Sequence, residues 1–349
     1  MRIPNLPAPE PRVTVDERRR LILAEVSLRG YFVLDGGLIV KNRFTRNMGF
    51  ILDGLLRLVN VSVFDEGGTS RTAQTSTGGL LVSNVTGTRA GQPAFLQFGT
   101  GTTSPTVTDN NLATPDFIAP THYIDTVETS ESTTLVVAAR WTPDVSRSYT
   151  EAGLKWISDI SNNYAHLLAR TLFPSYLTRT AFTEYFDGYA ISFPASYTVW
   201  FVRALQAALS GHDIRLTRGR LGRATDGSSF SIQTPRAFAG TPDVMIGSDN
   251  TPPSPTDYNL KSPIASLSSQ SQTVEVDTTL QEVRVVRTGT YTPSTNVTLG
   301  EIGLFCNLNG YVGGTLAGRK TLLVRVALDT PVTLTAGTTY TLGIVIRLP

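Results

Sequence analysis

Phe98-Gly-Thr-Gly-Thr-Thr-Ser-Pro-Thr-Val-Thr-Asp-Asn-Asn-Leu112 aligns without a gap with Ile246-Gly-Ser-Asp-Asn-Thr-Pro-Pro-Ser-Pro-Thr-Asp-Tyr-Asn-Leu260. Gly99 matches Gly247, Pro105 matches Pro253, Asp109 matches Asp257 and Leu112 matches Leu260. The match resumes downstream in the same order: Glu151-Ala-Gly-Leu154 with Glu301-Ile-Gly-Leu304, Leu167-Leu-Ala-Arg170 with Leu322-Leu-Val-Arg325, and Tyr197-Thr-Val with Tyr340-Thr-Leu. Ordered blocks of this kind describe one module present twice.

The bulk composition agrees with two modules. At 349 residues the chain exceeds one ordinary compact domain. Charged residues are 17%, below the roughly 25% of typical soluble domains, and Thr, Ser, Gly and Pro are plentiful. Short runs such as Thr134-Leu-Val-Val-Ala138, Glu282-Val-Arg-Val-Val286 and Leu322-Leu-Val-Arg-Val-Ala327 read as strands punctuated by turn residues. The expected fold is mainly β: two tandem antiparallel β-sandwich modules, Ig-like or jelly-roll-like, with an N-terminal extended arm and one or two helices. The expected division is an arm and hairpin over 1–37, a helix and Gly/Thr/Ser loop over 38–79, a first β-module over 80–206, a basic linker over 207–225 and a second β-module over 226–349.

Within that division, the prolines of residues 1–12 predict an extended arm. Helix formers from Asp16 to Leu28 favour a helix, with a strand at Leu21 to Val26 as the alternative. Asp35-Gly36-Gly37 supplies a positive-φ turn between two apolar runs and predicts a hairpin over 30–40. The apolar spacing of Phe44, Met48, Ile51, Leu52, Leu55 and Leu56 predicts an amphipathic helix over 42–58, packed on the first module. Residues 65–79 read as a loop.

The residues kept in both copies are the candidate structural positions. Gly99 and Gly247 are expected to permit a tight positive-φ turn. Pro105 and Pro253 fix the backbone, and Asp109 and Asp257 are placed to accept from amides two or three residues on. Leu112 and Leu260 would plug the loop onto the core. Glu151 and Glu301 read as buried structural acids bonding loop amides, and Arg170 and Arg325 as ion-pair partners of acids on adjacent strands. Arg215, Arg218, Arg220 and Arg223 form a basic patch that is either a solvated linker or a clamp on an acidic face of a neighbouring subunit.

Chemistry that would mark an enzyme finds no pattern here. Gly99-Thr-Gly-Thr-Thr lacks the lysine of a P-loop, and Gly313-Gly-Thr-Leu-Ala-Gly-Arg-Lys-Thr321 reads as a polar hairpin turn. His122, His166 and His212 lack ligand spacing, and no Gly-x-Ser-x-Gly elbow occurs. Trp141, Trp156 and Trp200 read as core or strand residues. Cys306, the only cysteine, reads as a buried strand thiol. A net charge of +2 does not predict nucleic-acid binding. No apolar run of about eighteen residues predicts a membrane span, and the start carries no ordinary secretory signal. The expectation is a chain in a soluble compartment, with no cofactor, no metal and no catalytic residue.

Phe98-Gly-Thr-Gly-Thr-Thr-Ser-Pro, then Thr-Asp-x-x-Leu, Glu-x-Gly-Leu, Leu-Leu-Ala-Arg and Tyr-Thr-Val-Trp, resembles a pattern in structural proteins of tailed viruses, in the β-domains of tail-fibre, baseplate and head-associated phage proteins. Lys41-Asn-Arg-Phe-Thr-Arg-Asn-Met-Gly-Phe50 is similar to the segment that introduces such domains. The full pattern covers about 38–206, and the second copy repeats its later part with Asp249-Asn250 in place of Gly101-Thr102. The resemblance implies a non-enzymatic virion component, made in the host cytoplasm, whose partners are copies of itself and other virion proteins. A tail-associated adaptor, fibre or baseplate protein is the first expectation. A capsid decoration or vertex protein, or a module binding a host receptor or glycan at a fibre tip, is the alternative. A depolymerase would instead need two carboxylates converging about 5 to 10 Å apart in a cleft.

Overall fold

In a computed structural model the described residues are 6–7, 10–73, 75, 94–159, 164–209, 221–233 and 236–349. The chain starts with strands β1 (Arg12–Asp16), β2 (Leu21–Ser27) and β3 (Arg29–Val33). It turns through Gly36 and Gly37, with φ of 93° and 87°, into β4 (Ile39–Lys41), as the turn residues predict. There follow β5 (Arg43–Phe44), α1 (Arg46–Arg57) and the hairpin of β6 (Val61–Phe64) and β7 (Ser70–Ala73). Six strands complete the first copy: β8 (Ala94–Gly99), β9 (Pro115–Glu128), β10 (Ser132–Trp141), β11 (Arg147–Asp159), β12 (Tyr164–Arg179) and β13 (Tyr185–Pro194). The order then recurs as α2 (Val199–Leu209), a hairpin of β14 (Leu221–Arg223) and β15 (Ser229–Ile232), β16 (Phe238–Gly247), β17 (Pro263–Ser266), β18 (Ser268–Asp277), β19 (Glu282–Tyr291), β20 (Val297–Val312), β21 (Thr315–Leu334) and β22 (Tyr340–Leu348).

The repeat is longer than the sequence blocks indicate, because it includes the helix and the short hairpin. Thr45, ahead of α1, donates its amide to Leu168 O at 2.9 Å, and Thr198, ahead of α2, donates to Leu323 O at 2.9 Å. Each threonine hydroxyl donates to the preceding carbonyl on the same strand, Leu167 O or Leu322 O. Tyr197-Thr-Val therefore corresponds to Phe44-Thr-Arg, and the pairing with Tyr340 is corrected. The counterpart of Tyr340 is Tyr185: the two lie opposite Tyr291 and Trp141. Their hydroxyls accept from Thr335 N and Thr180 N. α2 crosses the expected boundary at 206, and of the expected linker over 207–225 residues Leu221–Arg223 form a strand while 210–220 lie outside the described residues.

In the first copy one nine-stranded sheet runs in the order β4-β3-β13-β10-β9-β8-β11-β12-β5. It doubles over at β9, whose first half pairs with β8 and second half with β10. Phe98 of β8 stacks on Trp141 of β10 with ring centroids 5.3 Å apart, so the two halves face each other across an apolar layer. In the second copy the equivalent strand is interrupted at Leu267, and β17 and β18 fall into separate sheets of six and five strands. The pairing is antiparallel except between β2 and β22, which run parallel.

Residues 16–28 are not a helix. Ile22, Ala24, Val26 and Leu28 are buried at every second position, and β2 is an inner strand between β1 and β22. Helix propensity of a few tenths of a kcal/mol per residue is overridden by a ladder and an apolar face. β3 continues directly into the other sheet beside β13, so this segment ties the two copies together.

The amphipathic helix forms over Arg46–Arg57, but it does not lie on the first copy alone. Its first turn is held by β12, and its body lies against β16, β18 and β19 of the second copy. α2 mirrors this: held on β21, it lies against β9 and β10 of the first. Gln206 of α2 donates to Ile124 O of β9 at 3.0 Å, and Gln272 of β18 donates to Asp53 of α1 at 2.8 Å. Each copy thus lends its helix to the other, and Met48, Leu52, Val244, Val283, Phe201 and Ile124 belong to one continuous core. Residues 65–73, expected as loop, carry the turn and second strand of the β6–β7 hairpin; 76–79 lie outside the described residues.

Candidate functional site

The shared residues assemble into one node per copy. Glu151 on β11 and Glu301 on β20 are both 0% exposed. Glu151 accepts from the amides of Gly101 (3.0 Å), Ala113 (3.1 Å) and Thr114 (2.8 Å), the two ends of the 100–114 loop. Glu301 accepts from Ser262 (2.9 Å) and Lys261 (3.3 Å) in the equivalent loop. The next strand supplies the cation. Arg170 donates Nε to Glu151 at 2.9 Å, Nη1 to Asp109 at 2.6 Å and Nη2 to Thr103 O at 2.8 Å. Arg325 donates Nε to Glu301 at 2.6 Å, Nη1 to Asp257 at 3.1 Å and Nη2 to Asp249 at 3.0 Å. The planar guanidinium spans strand and loop with directed donors, which a lysine point charge cannot do.

Asp109 and Asp257 stand at the turn, but they bond backwards, accepting from Thr106 N (2.9 Å) and Ser254 N (3.0 Å) three residues earlier. Gly99 and Gly247 are also corrected: neither has positive φ. A Cβ on Gly99 would lie 2.4 Å from Thr114 O and 2.7 Å from Glu151 Oε1, and one on Gly247 would lie 2.4 Å from Glu301 Oε1 and 2.7 Å from Ser262 O. These glycines make room for the buried carboxylate. Leu112 and Leu260 plug the loop onto the core over Gly153 and Gly303, where a Cβ would meet them at 2.9 and 2.7 Å. Pro105 and Pro253 lie half-buried within the loops. The second copy's Asp249, in place of Gly101, gives Arg325 three carboxylate partners against two for Arg170. Its carboxyl is held below the usual carboxylate range, first by Thr251 and then by Arg325.

Glu151 and Asp109 do converge, but on Arg170, and their other acceptor sites take loop amides and the Thr106 hydroxyl. This is a clamp that holds a loop; Glu151 is fully buried and Asp109 is partly exposed at the rim of the loop. Of the basic patch, Arg223 donates to Gly227 O at 3.1 Å and lies over the Tyr258 ring, while Arg215, Arg218 and Arg220 lie outside the described residues. Trp141 and Trp156 are buried, and Trp200, in α2, donates to Asp257 O at 3.0 Å. His166 is buried against Phe64 O at 2.9 Å, and burial lowers its pKa; His212 lies outside the described residues. The Cys306 thiol, packed among backbone carbonyls, is pushed by burial up to about 12. Among the described residues no group of three or more His, Cys, Asp or Glu side chains is placed to hold a metal ion, and no helix is long and apolar enough to cross a membrane.

One buried charge cluster carries no signal in the repeat. Asp187 on β13 pairs with Arg179, accepts from Trp141 Nε1 at 2.9 Å and accepts from Asp35 N at 2.9 Å. It joins the N-terminal hairpin to the first copy, and the second copy has Leu342 opposite Gly289 at the corresponding place. A sequence-level comparison of copies finds only what both retain, so an acid present once is invisible to it. Among the described residues a groove of about 410 Å³ lies among Pro7, Pro11, Glu131, Pro194 and Pro253, and a charged cleft of about 370 Å³ among Arg12, Glu25, Arg29, Lys41 and Arg347. Comparison of the chain with family models, with curated proteins and with solved structures returns no match.

Proposed function

We propose that this chain is a non-enzymatic structural component of a virus particle of the tailed type, a tail-associated adaptor, fibre or baseplate protein that assembles in symmetric copies. The observation that carries the reading is what duplication kept. In both copies the retained Glu, Arg and Asp are consumed in holding a surface loop rigid, with two or three loop amides on one buried carboxylate. A reaction centre needs a group left facing substrate. A building block needs preorganised surfaces on a stiff body, and these nodes supply that.

The exchange of helices between copies and the β2–β3 tie support the same reading, because they make a body whose two surfaces keep a fixed geometry. The assignment to a virion rests on the resemblance carried by residues 98–112, 151–154, 167–170 and 41–50. The test is the native mass of the full chain by light scattering over a wide concentration range. A discrete ring, trimer or higher symmetric assembly is the expected result. A chain that stays monomeric throughout would remove the self-assembling part of the proposal.

A further inference from the structure

The turn from β12 to β13 (Thr180–Glu184) and the turn from β21 to β22 (Thr335–Thr339) are built by the same hydrogen bonds. Ala181 N donates to Ser146 Oγ and Ala336 N to Asn296 Oδ1, at 2.9 and 2.8 Å. Phe182 N donates to Pro143 O at 2.9 Å, and Gly337 N to Pro293 O at 2.8 Å. The third turn residue is left-handed in both, with φ of 73° at Gly337 and 58° at Phe182. Glycine is the residue this geometry favours, and phenylalanine is among those it penalises. Phe182 is also 84% exposed, so no burial offsets the strain. Val145, in the loop that Phe182 bonds, and Tyr176, in the bulge of β12 leading to the same turn, are exposed as well. Their counterparts in the second copy are Thr295 and Pro331. An aromatic held in a strained backbone and pointed at water is a candidate for recognition.

A second apolar surface lies at the opposite end of the repeat, on the other copy. Leu221, Ser231, Tyr311 and Leu316 are opposed in register across β14, β15, β20 and β21, and so share one sheet face. Leu221, Tyr311 and Leu316 are all exposed there. The surroundings differ in charge. Arg223 and Arg236 near the sheet face form no ion pair among the described residues, whereas Asp35 near the turn has none and Asp144 only a 4.0 Å contact with Arg147.

We infer that the Phe182 turn of one chain docks on the Leu221–Tyr311–Leu316 face of a second copy, a head-to-tail contact that rests on the symmetric-assembly reading above. Two different surfaces on one chain give a heterologous interface, which closes into a ring or continues as a filament. The apolar row receives the aromatic anchor, and the unpaired arginines meet the acids beside the turn.

The test uses sedimentation and thermal melts of the full chain, Phe182→Gly and Leu316→Lys. At a concentration low enough that both chains are monomeric, Phe182→Gly is expected to melt at or above the wild-type temperature, because it restores the residue that the sister turn carries, and at higher concentration to associate at least tenfold more weakly. Leu316→Lys is expected to weaken association to a similar degree. Each variant keeps the surface the other lacks, so an equimolar mixture is expected to give discrete one-to-one dimers. A mixture without dimers, or single variants that assemble like wild type, overturns this contact and leaves symmetric assembly standing through another surface. A lowered melt for Phe182→Gly assigns Phe182 to stability and overturns the inference. A wild-type chain that is monomeric at every concentration overturns both this contact and the self-assembly reading, and leaves the turn to a different protein.

Discussion

At the residue scale the two nodes are the most informative feature, because each solves the same problem of burying an ion pair. A carboxylate and a guanidinium taken out of water are tolerated only when their remaining donors and acceptors are satisfied, and here the loop backbone does that. Removing one partner leaves the other uncompensated. Glu151→Gln is expected to cost about 3–5 kcal/mol, read from urea unfolding of the full chain. Arg170→Met should cost a similar amount, and the double variant less than the sum of the two. A loss under about 1 kcal/mol for Glu151→Gln would show that the loop is held by something else. The node was legible before the fold because its members recur at matched places: Glu151 with Glu301, Arg170 with Arg325, Asp109 with Asp257. The role of Gly99 was not, since the crowding atoms are Thr114 O and Glu151 Oε1, on the far side of the loop and on another strand, and no φ preference announces it.

At the element scale the helices show how far local pattern reaches. The stripe of Met48, Ile51, Leu52, Leu55 and Leu56 identifies α1 and its apolar face. It does not say which sheet that face meets. The choice is written in shape: Gly49 lets α1 approach β19 so closely that a Cβ there would lie 2.3 Å from Val283 Cγ1. Gly49→Ala is therefore expected to destabilise the chain. Overpacking of about 1–3 kcal/mol against a stiff β-branched side chain outweighs the ~1 kcal/mol that alanine gains in a helix. Thermal denaturation decides it: a rise in melting temperature would mean that Val283 yields freely. β2 shows the converse, where helix formers at Leu21–Ser27 become a strand because β22 offers a ladder and the core accepts Ile22, Ala24 and Val26.

At the scale of the whole molecule, the exchanged helices and the β2–β3 segment make two homologous copies into one folding unit. Each half lacks a piece of its own core: 195–349 is without α1 and β2, and 1–194 is without α2. Full-length protein is expected to unfold in one transition. The separate halves should show little fixed tertiary structure by near-ultraviolet circular dichroism, and regain it on mixing. Two halves that each melt cooperatively alone would sink this account and restore the picture of independent modules.

What the amino-acid order determined by itself was the duplication, the mainly β class, the glycine turn at Gly36-Gly37, the helix ahead of the first copy and the members of the two nodes. All of these are expressed in turn chemistry or periodicity within a few residues, or in a literal repeat. Only the tertiary structure decided that residues 21–27 are a strand, that Tyr185 and not Tyr197 matches Tyr340, and that each helix serves the other copy. Those outcomes depend on packing between residues far apart in the chain, where the winning contact is chosen by shape and burial after the local preferences have been expressed.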